Sequence, residues 1–98
     1  MTINQNKNGS KLVLAVEGRL DTTTAPQLES EIKSSISGIT ELEFDFSKLD
    51  YISSAGLRVL LSAHKAMQKK GYMKIVHVND LVQEVFDVTG FSDILTIE

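Results

Sequence analysis

Cysteine and tryptophan are absent from the 98-residue chain, proline occurs once, and glycine six times. Without cysteine there can be no disulfide framework, iron–sulfur cluster, thiol nucleophile or cysteine-based zinc site. No apolar run approaches the roughly 20 residues that a membrane-spanning helix needs. The opening MTINQNKNGSK holds no apolar stretch suited to a signal peptide, so a cytoplasmic protein is expected. A basic excess is also missing: 10 Lys and Arg stand against 13 Asp and Glu, a net charge of −3. Nucleic-acid binding and attachment to an anionic membrane both require a cationic face, and this balance argues against them. A chain of this length buries only about 60–65% of its unfolded surface, enough for one core. One domain over residues 1–98 is therefore expected.

Sparse glycine and proline make the remaining punctuation informative. Residues 11–17 place Leu12, Leu14 and Val16 on one face and Val13 and Ala15 on the other, the pattern of a strand that Gly18 would end. Arg19, Leu20 and Asp21 then read as loop. Thr24, followed three residues later by Gln27 with Pro26 in the first turn, reads as a capped helix start. Its stripe is Ala25, Leu28, Ile32 and Ile36, and Gly38 ends it. Residues 41–46 alternate strictly, with Leu42, Phe44 and Phe46 inward and Glu43 and Asp45 toward water. Residues 47–50 read as a turn and Tyr51-Ile52 as a short extended piece. From Leu57 the spacing becomes helical through Leu60, Leu61, His64 and Met67, ending near Gly71. Met73 to Val78 is another strand-like run, which makes His77 a buried-looking strand residue. Asn79 or Asp80 can cap a last helix bearing Leu81, Val82, Val85 and Phe86, stopped at Gly90. Short edge strands are expected over residues 2–5 and 94–97. Strands alternating with helices give an α/β domain. The expected architecture is a mixed sheet of four to five strands with three to four helices mainly on one face.

Chemistry concentrates where Tyr51-Ile52 meets the second helix, at Ser53-Ser54-Ala55-Gly56. A helix start carries unpaired N–H groups and partial positive charge, which favour an anion. A serine there has three readings: a structural cap, a phosphate acceptor, or a nucleophile. The last needs a base within reach, and the only histidines, His64 and His77, fall in apolar patterns. Ala55 and Gly56 are small enough to let an outside group approach the first turn. The loop holding Asp21, Thr22 and Thr23 follows a strand and precedes a helix, so it belongs at the same carboxyl edge of the sheet. Asp21 reads first as a turn-forming or capping carboxylate and second as a functional one. Glu43 and Asp45 suit a solvated strand face, with no third ligand for a metal. No glycine-rich phosphate loop follows Gly18.

Three strings carry a family resemblance along the whole chain. They are Glu17-Gly18-Arg19-Leu20-Asp21 leading to Thr24-Ala25-Pro26, then Phe44-Asp45-Phe46-Ser47-Lys48-Leu49-Asp50-Tyr51-Ile52-Ser53-Ser54-Ala55-Gly56-Leu57, and Val85-Phe86-Asp87-Val88-Thr89-Gly90-Phe91. The sequence resembles a STAS domain of the bacterial anti-sigma-factor antagonist type. That resemblance implies a non-enzymatic partner switch. The unphosphorylated form would bind an anti-sigma factor that is also a serine kinase, and phosphorylation would break the complex until a phosphatase reversed it. It places the acceptor at Ser54, with Ser53 as rival, and the partner surface at Asp21, Thr22, Thr23, Ser53, Ser54, Ala55, Gly56 and Arg58. The family commonly has Asp, Ser or Thr, and Gly where this chain has Ser53, Ala55 and Arg58. No cofactor or metal is implied, and the free protein is expected to be a monomer. Two other readings stand beside this one. The chain could be a cytoplasmic STAS subunit of a lipid or anion transport complex, which co-purification with a permease or ATPase would reveal. It could also bind a nucleotide, which titration with GTP or ATP would reveal.

Overall fold

The computed structural model describes residues 1–98. Its elements run β1 (Thr2–Asn8), β2 (Lys11–Leu20), α1 (Ala25–Ser35), β3 (Glu41–Asp45), β4 (Leu49–Ile52), α2 (Ser54–Gln68), β5 (Tyr72–Val76), α3 (Asp80–Thr89), a 3-10 turn at Phe91–Asp93, and β6 (Thr96–Ile97). The sheet has the order β1-β2-β3-β5-β6, and β4 pairs separately with the end of β2. Only β1 runs antiparallel, joined to β2 through a tight turn in which Gly9 takes φ +63°. The sheet is therefore mixed, with six strands instead of four or five, and the additional one is β4.

Alternation along the strands sorts their two faces. Leu12, Leu42 and Met73 are register partners, as are Leu14, Phe44 and Ile75, and all six are buried. Together with Val16 and Phe46 they form the floor on which the helices lie. Helix α1 buries Ala25, Leu28 and Ile32; α2 buries Leu57, Val59, Leu60, Ala63 and Met67; α3 buries Val82 and Phe86. The rings of Phe44 and Phe46 meet at 5.8 Å and a 50° tilt, an arrangement that aromatic pairs prefer over face-to-face stacking. The opposite face is polar. There Glu43 lies 3.6 Å from both Lys11 and Lys74, so it belongs to a charge ladder across three strands.

Two local expectations give way to tertiary structure. Gly18 does not end its strand: at φ +96° it absorbs a register shift, and β2 continues through Arg19 and Leu20 against β4. His77 is not buried in a strand. It lies past the end of β5, exposed, with φ +61°, where the chain turns toward α3. At the other end of α3, Gly90 at φ +81° closes the helix in a left-handed cap.

Candidate functional site

The continuation of β2 brings the two candidate loops together. Leu20 and Ile52 end paired strands, and the Ser53 amide donates to the Leu20 carbonyl at 2.9 Å. The Asp21 loop and the start of α2 thus leave one edge of the sheet side by side, as expected for the carboxyl ends of parallel strands.

Asp21 organises its own loop. Its Oδ1 accepts from the Thr23 amide at 3.0 Å, the Thr23 hydroxyl at 2.7 Å and the Thr24 amide at 3.2 Å. The Thr23 hydroxyl foremost, with these amides, holds the carboxyl below its ordinary pKa, against a smaller opposing effect of desolvation. Arg19 Nε lies 3.7 Å from the other carboxylate oxygen, and its guanidinium sits 4.4 Å above the Tyr51 ring. Thr24 does not make the expected capping box. Its hydroxyl instead donates back to the Arg19 carbonyl at 2.8 Å, tying the loop to the strand end. Thr22 and Thr23 are exposed at the loop's tip.

At the start of α2, Ser53 has the extended backbone of an N-cap, φ −108° and ψ 179°, but its side chain accepts no first-turn amide. Its Oγ is enclosed and has no hydrogen-bond partner. The first helical bond is from the Leu57 amide to the Ser53 carbonyl, at 3.0 Å. The amides of Ser54, Ala55 and Gly56 consequently have no acceptor within the chain. Helix α3 differs: its Asn79 cap accepts from the Val82 amide at 2.8 Å, and its side-chain amide also donates to the Leu49 carbonyl of β4 at 2.8 Å. That second bond fastens α3 to the strand leading into Ser53, and no local sequence pattern announces it.

Ser54 and Arg58 are exposed and Ala55 is half-buried. Gly56 is buried and faces inward, contrary to the expectation that it opens the turn to outside groups. A Cβ there would stand 2.7 Å from Leu20 Cγ and 2.9 Å from Ile52 Cγ1. Its smallness admits the domain's own strand ends. Between α1 and α2 lies a shallow cleft of about 210 Å3, lined by Thr22, Pro26, Glu29, Ala55 and Arg58 among others. The structure thus gathers Asp21, Thr22, Thr23, Ser54, Ala55 and Arg58 at one end of the molecule, around an exposed hydroxyl and three free amides. Such a group of donors suits an anion. No helix is long and apolar enough to cross a membrane.

Known proteins resemble this chain in sequence and in fold. The family model described as the STAS domain matches residues 2–98. BtrV of Bordetella bronchiseptica, provisionally described as an anti-sigma factor antagonist, is 34% identical over 99 residues, covering 99% of this chain and 85% of that protein. The anti-sigma-B factor antagonist of Bacillus subtilis is 27% identical over 96 residues, covering 97% and 86%. Among solved structures, an anti-sigma factor antagonist from Mycobacterium paratuberculosis superposes with a TM-score of 0.89 at 23% identity, covering 98% of this chain and 83% of that one. With residues 2–98 matched by the family model, the chain belongs to the STAS domain family.

Proposed function

We propose that the chain is an anti-sigma-factor antagonist whose unmodified form binds an anti-sigma factor with serine kinase activity, releasing the sigma factor. Phosphorylation of Ser54 ends that binding, and a phosphatase restores it. The observation that carries this reading is the exposed Ser54 hydroxyl beside three amides with no acceptor. The descriptions of the relatives from Bordetella and Bacillus support the partner class. A further structural neighbour, the antagonist SpoIIAA, has been solved in unphosphorylated and phosphorylated forms, and both resemble this fold at TM-scores of 0.78 and 0.77.

The chemistry is a simple transfer. As the Ser54 Oγ–P bond forms, the bond between the γ-phosphorus of ATP and its bridging oxygen breaks. ADP leaves, and the serine proton passes to a base on the kinase. The free amides offset part of the new charge of about −1.5 to −2, so the domain need not rearrange. The effect falls on the interface, where an anion buried without a partner costs several kcal/mol. At 1.4 kcal/mol per tenfold, binding should weaken about 10²–10³-fold. Ser53 competes poorly as acceptor because its oxygen is enclosed. Incubation with the cognate kinase and ATP, followed by peptide mapping in a mass spectrometer, is expected to find phosphate on Ser54; phosphate on neither Ser54 nor Ser53 defeats the reading. Ser54→Asp should weaken partner binding while leaving the melting temperature nearly unchanged.

A further inference from the structure

Arg58 lies one helical turn beyond Ser54 on α2, and both residues are exposed. Residues four apart on a helix hold their Cβ atoms about 5–6 Å from one another, and an acid placed N-terminal to a base is the favourable order. The Arg58 guanidinium takes part in none of the chain's ion pairs. The other arginine, Arg19, is already engaged by Asp21 and Tyr51. Glu29, the acid that shares the cleft with Arg58, pairs with Lys33 at 3.2 Å. The α1–α2 cleft therefore presents an unpaired cation within reach of the hydroxyl on which the proposed switch turns.

Resting on the reading that Ser54 carries the phosphoryl group, we propose that Arg58 is the residue that captures it. The guanidinium's planar fork of donors matches phosphate oxygens, which a lysine meets only as a point charge. Modification then changes the surface in two places. An anion arises at the start of α2, and the cleft loses the cation it had offered to an acidic group on the partner. The switch removes an attractive charge as well as adding a repulsive one. Arg58 holds the phosphate, with Glu29 as the acid of the cleft that competes for it and the Arg19–Asp21 pair left in place.

The test needs neither kinase nor partner. Phosphoserine is installed at position 54 by genetic encoding, in the native background and with Arg58→Ala or Arg58→Lys, and the phosphate is titrated by 31P NMR. Its second ionisation, ordinarily near about pH 6, is expected about 0.2–0.4 lower in the native background than in Arg58→Ala. Arg58→Lys should fall between them, and the difference should shrink at high salt, where exposed pairs are screened. Coincident titration curves for the native and Arg58→Ala proteins would falsify the capture. That result would leave phosphorylation at Ser54 standing, whereas a kinase that ignores Ser54 would remove the switch and leave the titration unchanged.

Discussion

Gly56 is the third residue of α2, and its missing side chain is occupied by Leu20 and Ile52, the last residues of the two strands that carry the candidate loops. A methyl group at that point must displace the middle of two buried side chains, and overpacking of this kind typically costs about 1–3 kcal/mol. The helical preference of alanine over glycine, about 1 kcal/mol in a helix interior, recovers part of that and less in a first turn. Gly56→Ala is expected to destabilise the domain by about 1–2 kcal/mol, read as a lower urea midpoint at unchanged slope. A midpoint equal to that of the native protein would mean that the helix start is not wedged against the strand ends. Ser53 and Ser54 illustrate the same constraint from the other side. Packing turns the first hydroxyl inward, where it has no partner, and leaves the second in solvent. Residue type alone makes the two serines equivalent; the strand end at Leu20 separates them.

Few side-chain hydrogen bonds hold one element to another, and Asn79 makes one of them besides capping its own helix. Its side chain caps α3 through the Val82 amide and fastens that helix to β4 through the Leu49 carbonyl. Asn79→Asp keeps the acceptor, with charge favourable to a helix start, but loses the donor. Asn79→Ala loses both. Stability should fall stepwise, by about 1 kcal/mol for each bond removed, in thermal or urea unfolding. An aspartate variant as stable as the native protein would show that the Leu49 bond contributes nothing. Such links explain which parts of the fold were legible in the sequence. The stripe Leu57, Leu60, Met67 and the alternation Leu42, Phe44, Phe46 are periodic and local, and the observed α2 and β3 follow them. The end of β2 was not legible, because a glycine that usually stops a strand here makes a bulge only when β4 is present to pair beyond it. Strand β4 itself has four residues, too few to establish a period. His77 lies in an apolar run, yet the chain must turn there to enter α3. The loop at Asp21 was readable as a turn and as a site, and the structure shows the turn bonds in full.

For the whole molecule, ionisable groups on opposite sides of the sheet bound the pH range of greatest stability. On the acid side, Asp21 is held below the ordinary carboxylate value of 3.8, foremost by the Thr23 hydroxyl, and Asp87 is held below it by Ser92 and then Gln83. A carboxyl whose folded pKa is depressed contributes stability that is present above its unfolded pKa and is lost as pH falls through the folded value. On the alkaline side, Lys74 is raised above 10.5, first by Glu98 and then by Glu43, and Tyr72 is raised above 10.0, first by Glu41. Groups whose folded pKa is raised bind the proton more tightly when folded, so their contribution is complete below the unfolded pKa and declines as pH rises past it. The melting temperature should therefore show charge-linked falls on two limbs, one below about pH 4 and one above about pH 10, with neither group titrating between. The limbs have different owners. Combining Asp21→Asn with Asp87→Asn should flatten the acid limb and leave the alkaline one, whereas Tyr72→Phe should shrink the alkaline limb to the share of Lys74 and leave the acid one. These groups are open to solvent, so each effect is small and should diminish with added salt. A single substitution that moved both limbs would mean that it altered the fold, because the Asp21 loop and the charge ladder share no ion pair.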